Sequence, residues 1–273
     1  QAIQKELYVS VVYRAGAPVS DIGPADLIVR EDNLAREILR IAPASEPMQV
    51  AILIDNSQAS GDWLFDVRRA LPQLIDALVG SDATNDVAIV ALASRPTILS
   101  DYTHDRRRLQ KGMDLIWPEP ASGAYLLDSI IEVTKGFKRR DAGRPVIIAI
   151  TTEGPERSSR HYDQVLTALG ESGAAFYSVL VGPPSTTMSQ DEIDRGIVLE
   201  RGTRETGGYR ERVLAGSALP DRLKQLGDEL THRYHVTYAR PQSLIPPKRV
   251  TVTTARAGLT ARGTPIRDPQ ERP

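Results

Sequence analysis

Four short, uninterrupted apolar runs constrain this chain more than any other feature: "QVAILI" from Gln49, "DVAIVALA" from Asp86, "PVIIAIT" from Pro145 and "AAFYSVLVG" from Ala174. A strand covered on one face alternates apolar with polar residues, so a run that is apolar throughout reads as a strand buried on both faces. Between the runs lie segments of helical period. Leu64, Val67, Leu71, Leu74, Ile75 and Leu78 follow the three-four spacing that puts them on one side of a helix. Leu127, Ile130, Ile131, Thr134 and Phe137 do the same, as do Leu219, Leu223, Leu226 and Leu230. Buried strands alternating with one-sided helices predict an α/β fold, a doubly wound and mostly parallel sheet with helices on both faces. Pro72 falls inside the first helical pattern and predicts a kink there. Ser189 with Glu192 predicts a capping box that starts a helix at Gln190.

Outside this region the period changes to two. "ELYVSVVYRAG" places Leu7, Val9, Val11 and Tyr13 on one face, and "DLIVREDNLAREILRI" follows, its "EDN" able to reverse the chain because Asp and Asn tolerate left-handed backbone angles. "APASEP" reads as a linker. After Thr231 the alternation returns in "RYHVTYARP", "KRVTVTTAR" and "GLTARG". Extended segments at both ends predict a small antiparallel β domain built from both chain ends, residues 1–46 and 232–263, with an α/β domain, residues 47–231, inserted into it. Residues 264–273 read as a tail.

Charge narrows the partners. A formal net charge of -1 argues against nucleic acid or an anionic membrane surface, both of which need a positive field. The runs Arg106, Arg107, Arg108 and Lys138, Arg139, Arg140 are expected on solvated helix faces or ends. With no cysteine, the chain has neither disulfides nor a thiol nucleophile. No apolar run approaches the roughly 20 residues of a membrane span. The first residue is Gln rather than Met, from which removal of a leader and export to a periplasmic or extracellular location are expected.

In an open α/β sheet, ligands bind beyond the carboxyl ends of the strands. Three loops there carry oxygen-bearing side chains: "DNSQAS", "PASGAYLLDS" and "TTEGPERSS". With "AGAPVSDIGPADLIVRED" before them and "RETGGY", "YHVTYARP" and "KRVTV" after, the chain resembles, from about Glu6 to Arg262, the von Willebrand factor type A (vWA) domain. It resembles more closely the bacterial VWFA-related proteins. That resemblance implies a Rossmann-like sheet and a metal-ion-dependent adhesion site, with an Asp-x-Ser-x-Ser loop, a threonine from a second loop and an aspartate from a third. Mg2+ takes about six oxygens in an octahedron, leaving a place for a partner's carboxylate.

Carried over position by position, Asp55 and Ser57 match, Ala59 stands where the next hydroxyl belongs with Ser60 one residue late, Ala124 stands for the threonine, and Glu153 replaces the aspartate. Two direct ligands are missing. The expectation is therefore a degenerate site with weak or no Mg2+ binding and no cofactor, in which Asp55, Ser57 and Glu153 form a hydrogen-bonded cluster. Two carboxylates so close would push one pKa upward. A protein partner is expected at Asp55, Ser57, Ser60, Ser122, Ala124 and Glu153.

Rival chemistries find less support. His232 and His235 in "HRYH" are too few for a zinc site. The glycines of "ETGGYR" do not lie between the first strand and helix, as a pyrophosphate loop requires, and read as a tight turn. A hydrolase would join Ser57 to His104 or His161, but no GxSxG elbow is present. The reading is a non-catalytic protein-recognition or adhesion module. The alternative is an assembly component of a cell-envelope or extracellular complex, binding by strand addition to its β domain.

Overall fold

The computed structural model describes residues 2–80, 84–185, 188–242, 245, 247 and 249–266. Four strands come first: β1 (Ala2–Tyr13), β2 (Leu27–Glu31), β3 (Leu34–Arg36) and β4 (Ile38–Pro43). The middle runs β5 (Gln49–Ile54), α1 (Gly61–Leu78), β6 (Asp86–Ala91), β7 (Thr97–Thr103), α2 (Arg106–Asp114), α3 (Leu126–Arg140), β8 (Pro145–Thr151), α4 (Tyr162–Ser172) and β9 (Ala175–Val181). It continues through α5 (Gln190–Ile197), a π-turn at Val198–Gly202, the single turn α6 (Thr203–Glu205), β10 (Arg210–Val213) and α7 (Leu219–Thr231). The chain closes with β11 (Tyr234–Pro241), β12 (Val250–Thr254) and β13 (Leu259–Pro265). Contacts divide it into two units, one of the two chain ends up to residue 45 and from residue 225, the other of residues 46–224.

The end unit holds a four-stranded sheet, β13-β1-β11-β4, and a three-stranded one, β12-β2-β3. All pairings are antiparallel; β1 meets β11 with Leu7 opposite Val236 and Val9 opposite Tyr234. These residues form one core with Leu27, Val29, Tyr238 and Val252. The turn from β2 to β3 is made by Asp32 and Asn33, whose φ angles of 46 and 72 are the left-handed ones expected of "EDN". Thr264 and Pro265, read as tail from the sequence, still pair with Tyr8 and Leu7. Residues 267–273 lie outside the described residues.

The middle unit carries a six-stranded sheet, β10-β9-β8-β5-β6-β7, parallel except for the edge strand β7. The four apolar runs supply β5, β6, β8 and β9, and every residue from Pro145 to Thr151 and from Ala175 to Val181 is buried. Ala51, Leu53, Ile147 and Ala149 share one face with Leu127, Ile130 and Phe137 of α3 and Val165 and Leu169 of α4. Strand alternation turns Val50, Ile52 and Ile54 to the other face, equally buried. α1 runs through Pro72 as a single helix. The capping box forms as expected: Glu192 N–H donates to Ser189 Oγ (3.3 Å) and Ser189 N–H to Glu192 Oε2 (2.8 Å). Gly207 turns the chain at φ 80, and Gly208 lies so close to the Phe176 carbonyl of β9 that a side chain would overlap it.

From β5 the chain builds outward to β6 and β7, then crosses back to build β8, β9 and β10 on the other side. That reversal opens a crevice at the carboxyl ends of β5 and β8. Among the described residues no helix is long and apolar enough to cross a membrane.

Candidate functional site

Asp55 leaves the end of β5 directly into this crevice. Its N–H donates to the Ile150 carbonyl (2.9 Å), extending the β5–β8 ladder by one bond. Its buried carboxylate is fully engaged: Oδ1 accepts from Ser57 N–H (2.9 Å), and Oδ2 from Thr152 Oγ1 (2.9 Å), Thr152 N–H (3.2 Å) and Thr151 Oγ1 (3.2 Å). A carboxylate at a strand end can replace the ladder's missing partners in this way, and burial makes those bonds obligatory.

The next residue ties the rim together. Asn56 Oδ1 accepts the N–H groups of Leu92 (3.1 Å) and Ala93 (2.9 Å) past the end of β6, its Nδ2 donates to the Trp117 carbonyl (3.0 Å), and its own carbonyl accepts from Glu119 N–H (2.8 Å). Sequence reasoning passed over this residue because it is the unspecified second position of the loop pattern. Ser57 is fully buried, and its hydroxyl has no hydrogen-bond partner. Its carbonyl accepts both the N–H (3.0 Å) and Oγ (2.8 Å) of Ser60, so the Ser60 hydroxyl is turned into the loop's own backbone.

The positions where hydroxyls were expected hold methyl groups, exposed at Ala59 and buried at Ala124. Ala59 packs against Gly154, so closely that a side-chain carbon at 154 would overlap the Ala59 methyl. Ala124 is completely buried between single bridges to Ala93 and Glu156, its N–H donating to the Pro155 carbonyl (2.9 Å) and its carbonyl accepting from Arg157 N–H (2.8 Å). Ser122 Oγ donates to the Glu119 carbonyl (2.6 Å). Of the six residues expected to meet a partner, Asp55, Ser57, Ser60 and Ala124 are therefore buried; they shape the rim without presenting surface.

Glu153 departs furthest from expectation. It bonds the Arg212 guanidinium and the Ser185 N–H, with Arg210 3.8 Å away. Burial by itself would raise its pKa, but the Ser185 N–H and then the Arg212 guanidinium outweigh it and hold the carboxyl below its ordinary value. Of the expected cluster, Asp55 accepts from Ser57 N–H as well as from Thr151 and Thr152, whereas Glu153 bonds an arginine instead. The expected upward push of one carboxyl by the other is corrected for Glu153, since a cation stands beside it. Arg195, buried, donates to the Gly154 carbonyl (2.6 Å) and fixes the same loop from behind.

Glu156 was invisible in the sequence, where it reads as one more polar residue of a loop. It is buried against Ala124; Oε1 accepts from Ser158 N–H (3.1 Å) and Oε2 has no partner. Burial pushes its carboxyl up to about 7, against the lesser opposing influence of Ser158 and Arg195.

The histidines do not assemble a catalytic group with Ser57. His104 Nδ1 meets Asp86 (3.0 Å) at the amino end of β6, and His161 lies between Asp163 (2.9 Å) and Asp194 (3.3 Å). His232 Nδ1 is 2.7 Å from the Asp228 carbonyl, while His235 Nε2 is 3.4 Å from Glu6. Among the described residues no three metal-binding side chains of the His, Cys, Asp or Glu kind converge.

No family model and no curated protein matches the sequence. Solved structures do match. A von Willebrand factor type A protein from Catenulispora acidiphila superposes with a TM-score of 0.54 at 11% identity, over 97% of this chain and 72% of its own. The fold is that of a von Willebrand factor type A domain. Proximal thread matrix protein 1 from the mussel byssus gives 0.51 at 14% identity, over 77% of this chain and 50% of its own. The conserved hypothetical protein BatB from Bacteroides thetaiotaomicron gives 0.50 at 20%, over 68% and 99%.

Proposed function

We propose that the α/β unit is a protein-recognition module that works without catalysis and without a divalent bridge. The donor set does not suit Mg2+. Octahedral coordination demands oxygens placed to within a few tenths of an ångström, and two of the positions that would supply hydroxyls are methyl groups, Ala59 against Gly154 and Ala124 between Ala93 and Glu156. The single observation that carries the reading is the Arg212–Glu153 pair. A guanidinium already neutralises the carboxylate that would have to hold the ion's water.

The likeness in fold to a thread matrix protein of the mussel byssus is in keeping with a protein-binding module. The alternative, assembly through the end unit, is favoured by one feature: β4 and β13 are the outermost strands of its sheet, and an outer strand can accept another chain. Photo-cross-linking separates the two. A benzophenone side chain at Ser122, beside the rim, should capture a partner in the presence of EDTA, and one at exposed Leu39 on β4 should not. Capture at Leu39 alone would transfer the function to the end unit.

A further inference from the structure

Around this rim stand cations that no carboxylate among the described residues neutralises. The Arg68 guanidinium of α1 lies 4.4 Å from the centre of the Trp117 ring. Among the described residues, Arg68, Arg95 and Arg157 have no carboxylate partner. Their places are linked. Trp117 is held through its carbonyl by Asn56 (3.0 Å), and Ser94, the residue before Arg95, donates its N–H to the Gly123 carbonyl (3.4 Å) and its hydroxyl to Glu119. Arg157 lies across Gly123, where a side-chain carbon would come within 2.5 Å of its Cγ. By contrast, the basic runs of α2 and α3 are largely paired: Arg106 with Asp76 (2.5 Å), Lys138 with Glu171 (2.8 Å) and Arg140 with Asp101 (3.1 Å).

The carboxylates of the same loops are engaged elsewhere. Asp55 serves Thr151 and Thr152, Glu153 serves Arg212, Glu119 accepts from Ser94, and Glu156 is buried. Beside the guanidiniums, three large apolar side chains face solvent: Phe65 at 72% exposure, Trp117 at 62% and Leu115 at 59%. Phe65 and Arg68 are three residues apart on α1 and so share a stripe. Exposed Trp and Phe next to Arg is the composition of interface centres rather than of ordinary surface. A nucleic acid would need a positive field over a longer track than a chain of net charge -1 provides.

We propose that this face, with Arg68, Arg95 and Arg157 around Phe65 and Trp117, binds an acidic polypeptide segment that also carries apolar side chains. The guanidiniums pair with its carboxylates, a charge-assisted contact; the aromatic rings take its apolar groups. The proposal rests on the rim being the recognition surface, and it assigns the partner's chemistry: carboxylates met by arginine and apolar groups met by the aromatic rings.

The test is fluorescence anisotropy in EDTA with a fluorescein-labelled peptide of Glu-Glu-Leu repeats, its glutamine twin, and single-stranded DNA. The glutamate peptide should bind at least about tenfold more tightly than the twin and lose affinity as salt rises. The triple variant Arg68→Gln, Arg95→Gln, Arg157→Gln should lower that affinity about tenfold or more, while Arg107→Gln on α2 leaves it unchanged. Equal binding of the two peptides, equal binding of DNA, an unaffected triple variant or a requirement for Mg2+ would each overturn the proposal. A benzophenone at Ser122 separates the two levels. A captured partner that the glutamate peptide displaces supports the proposal, and one that it cannot displace overturns it while the recognition reading stands. Capture only from Leu39 brings both down.

Discussion

Replacing Glu156 with glutamine is expected to stabilise the α/β unit in alkaline solution and to change little in acid. The carboxyl titrates at about 7 in the folded protein against an ordinary value of 4.5. Below pH 4.5 both states hold the proton. Between 4.5 and 7 the unfolded chain gives it up while the folded one keeps it, so stability falls as pH rises. Above 7 the folded protein carries an ionised carboxylate whose Oε2 is buried without a partner. Each pH unit of that interval corresponds to about 1.4 kcal/mol, so the full cost is on the order of 3 kcal/mol. Glutamine keeps an oxygen for the Ser158 N–H (3.1 Å) and never ionises. The assay is urea unfolding at pH 4.5 to 8.5 followed by tryptophan fluorescence, because both tryptophans, Trp63 and Trp117, belong to this unit. The advantage of the variant should grow from near zero at pH 4.5 to about 3 kcal/mol at pH 8.5. A constant difference across that range, or a variant less stable at pH 8.5, would refute the reasoning.

Three further outcomes follow from the rim. Asn56→Ala removes the acceptor of Ala93 N–H and the donor to the Trp117 carbonyl, and should cost about 2–3 kcal/mol in the same unfolding assay; a loss below about 0.5 kcal/mol would mean that water replaces these bonds. Gly154→Ala should cost about 1–3 kcal/mol by overpacking against Ala59, and adding Ala59→Gly should recover most of it; additive losses in the double-mutant cycle would show that the two do not compete for space. Arg212→Gln takes the cation from Glu153 and should raise that carboxyl's pKa, seen in the carboxyl titration by NMR. An unmoved titration would place the Ser185 N–H alone in charge.

How much of this was legible in the sequence depends on how local the cause is. The apolar runs declare β5, β6, β8 and β9 because burial on both faces excludes polar residues from each strand separately. The Asp32–Asn33 turn and the Ser189–Glu192 box are equally local, each set by a few adjacent residues. Asp55 and Ser57 could be placed because one loop carries them. The fate of Glu153 could not, since Arg212 is brought to it by the pairing of β10 on β9 and by no pattern near either residue. Glu156 hid for a related reason: "TTEGPERSS" is polar throughout, and only the bridge of Glu156 to Ala124 buries it. The arginine and aromatic residues of the rim come from α1 and three separate loops, and each alone reads as ordinary surface.

The most direct measurement is calorimetric titration of the protein with Mg2+ and Mn2+. The account predicts no saturable heat at millimolar cation, and a gain in affinity when Ala59→Ser and Ala124→Thr are introduced together. Micromolar binding to the unaltered protein, abolished by Asp55→Asn or Ser57→Ala, would contradict it.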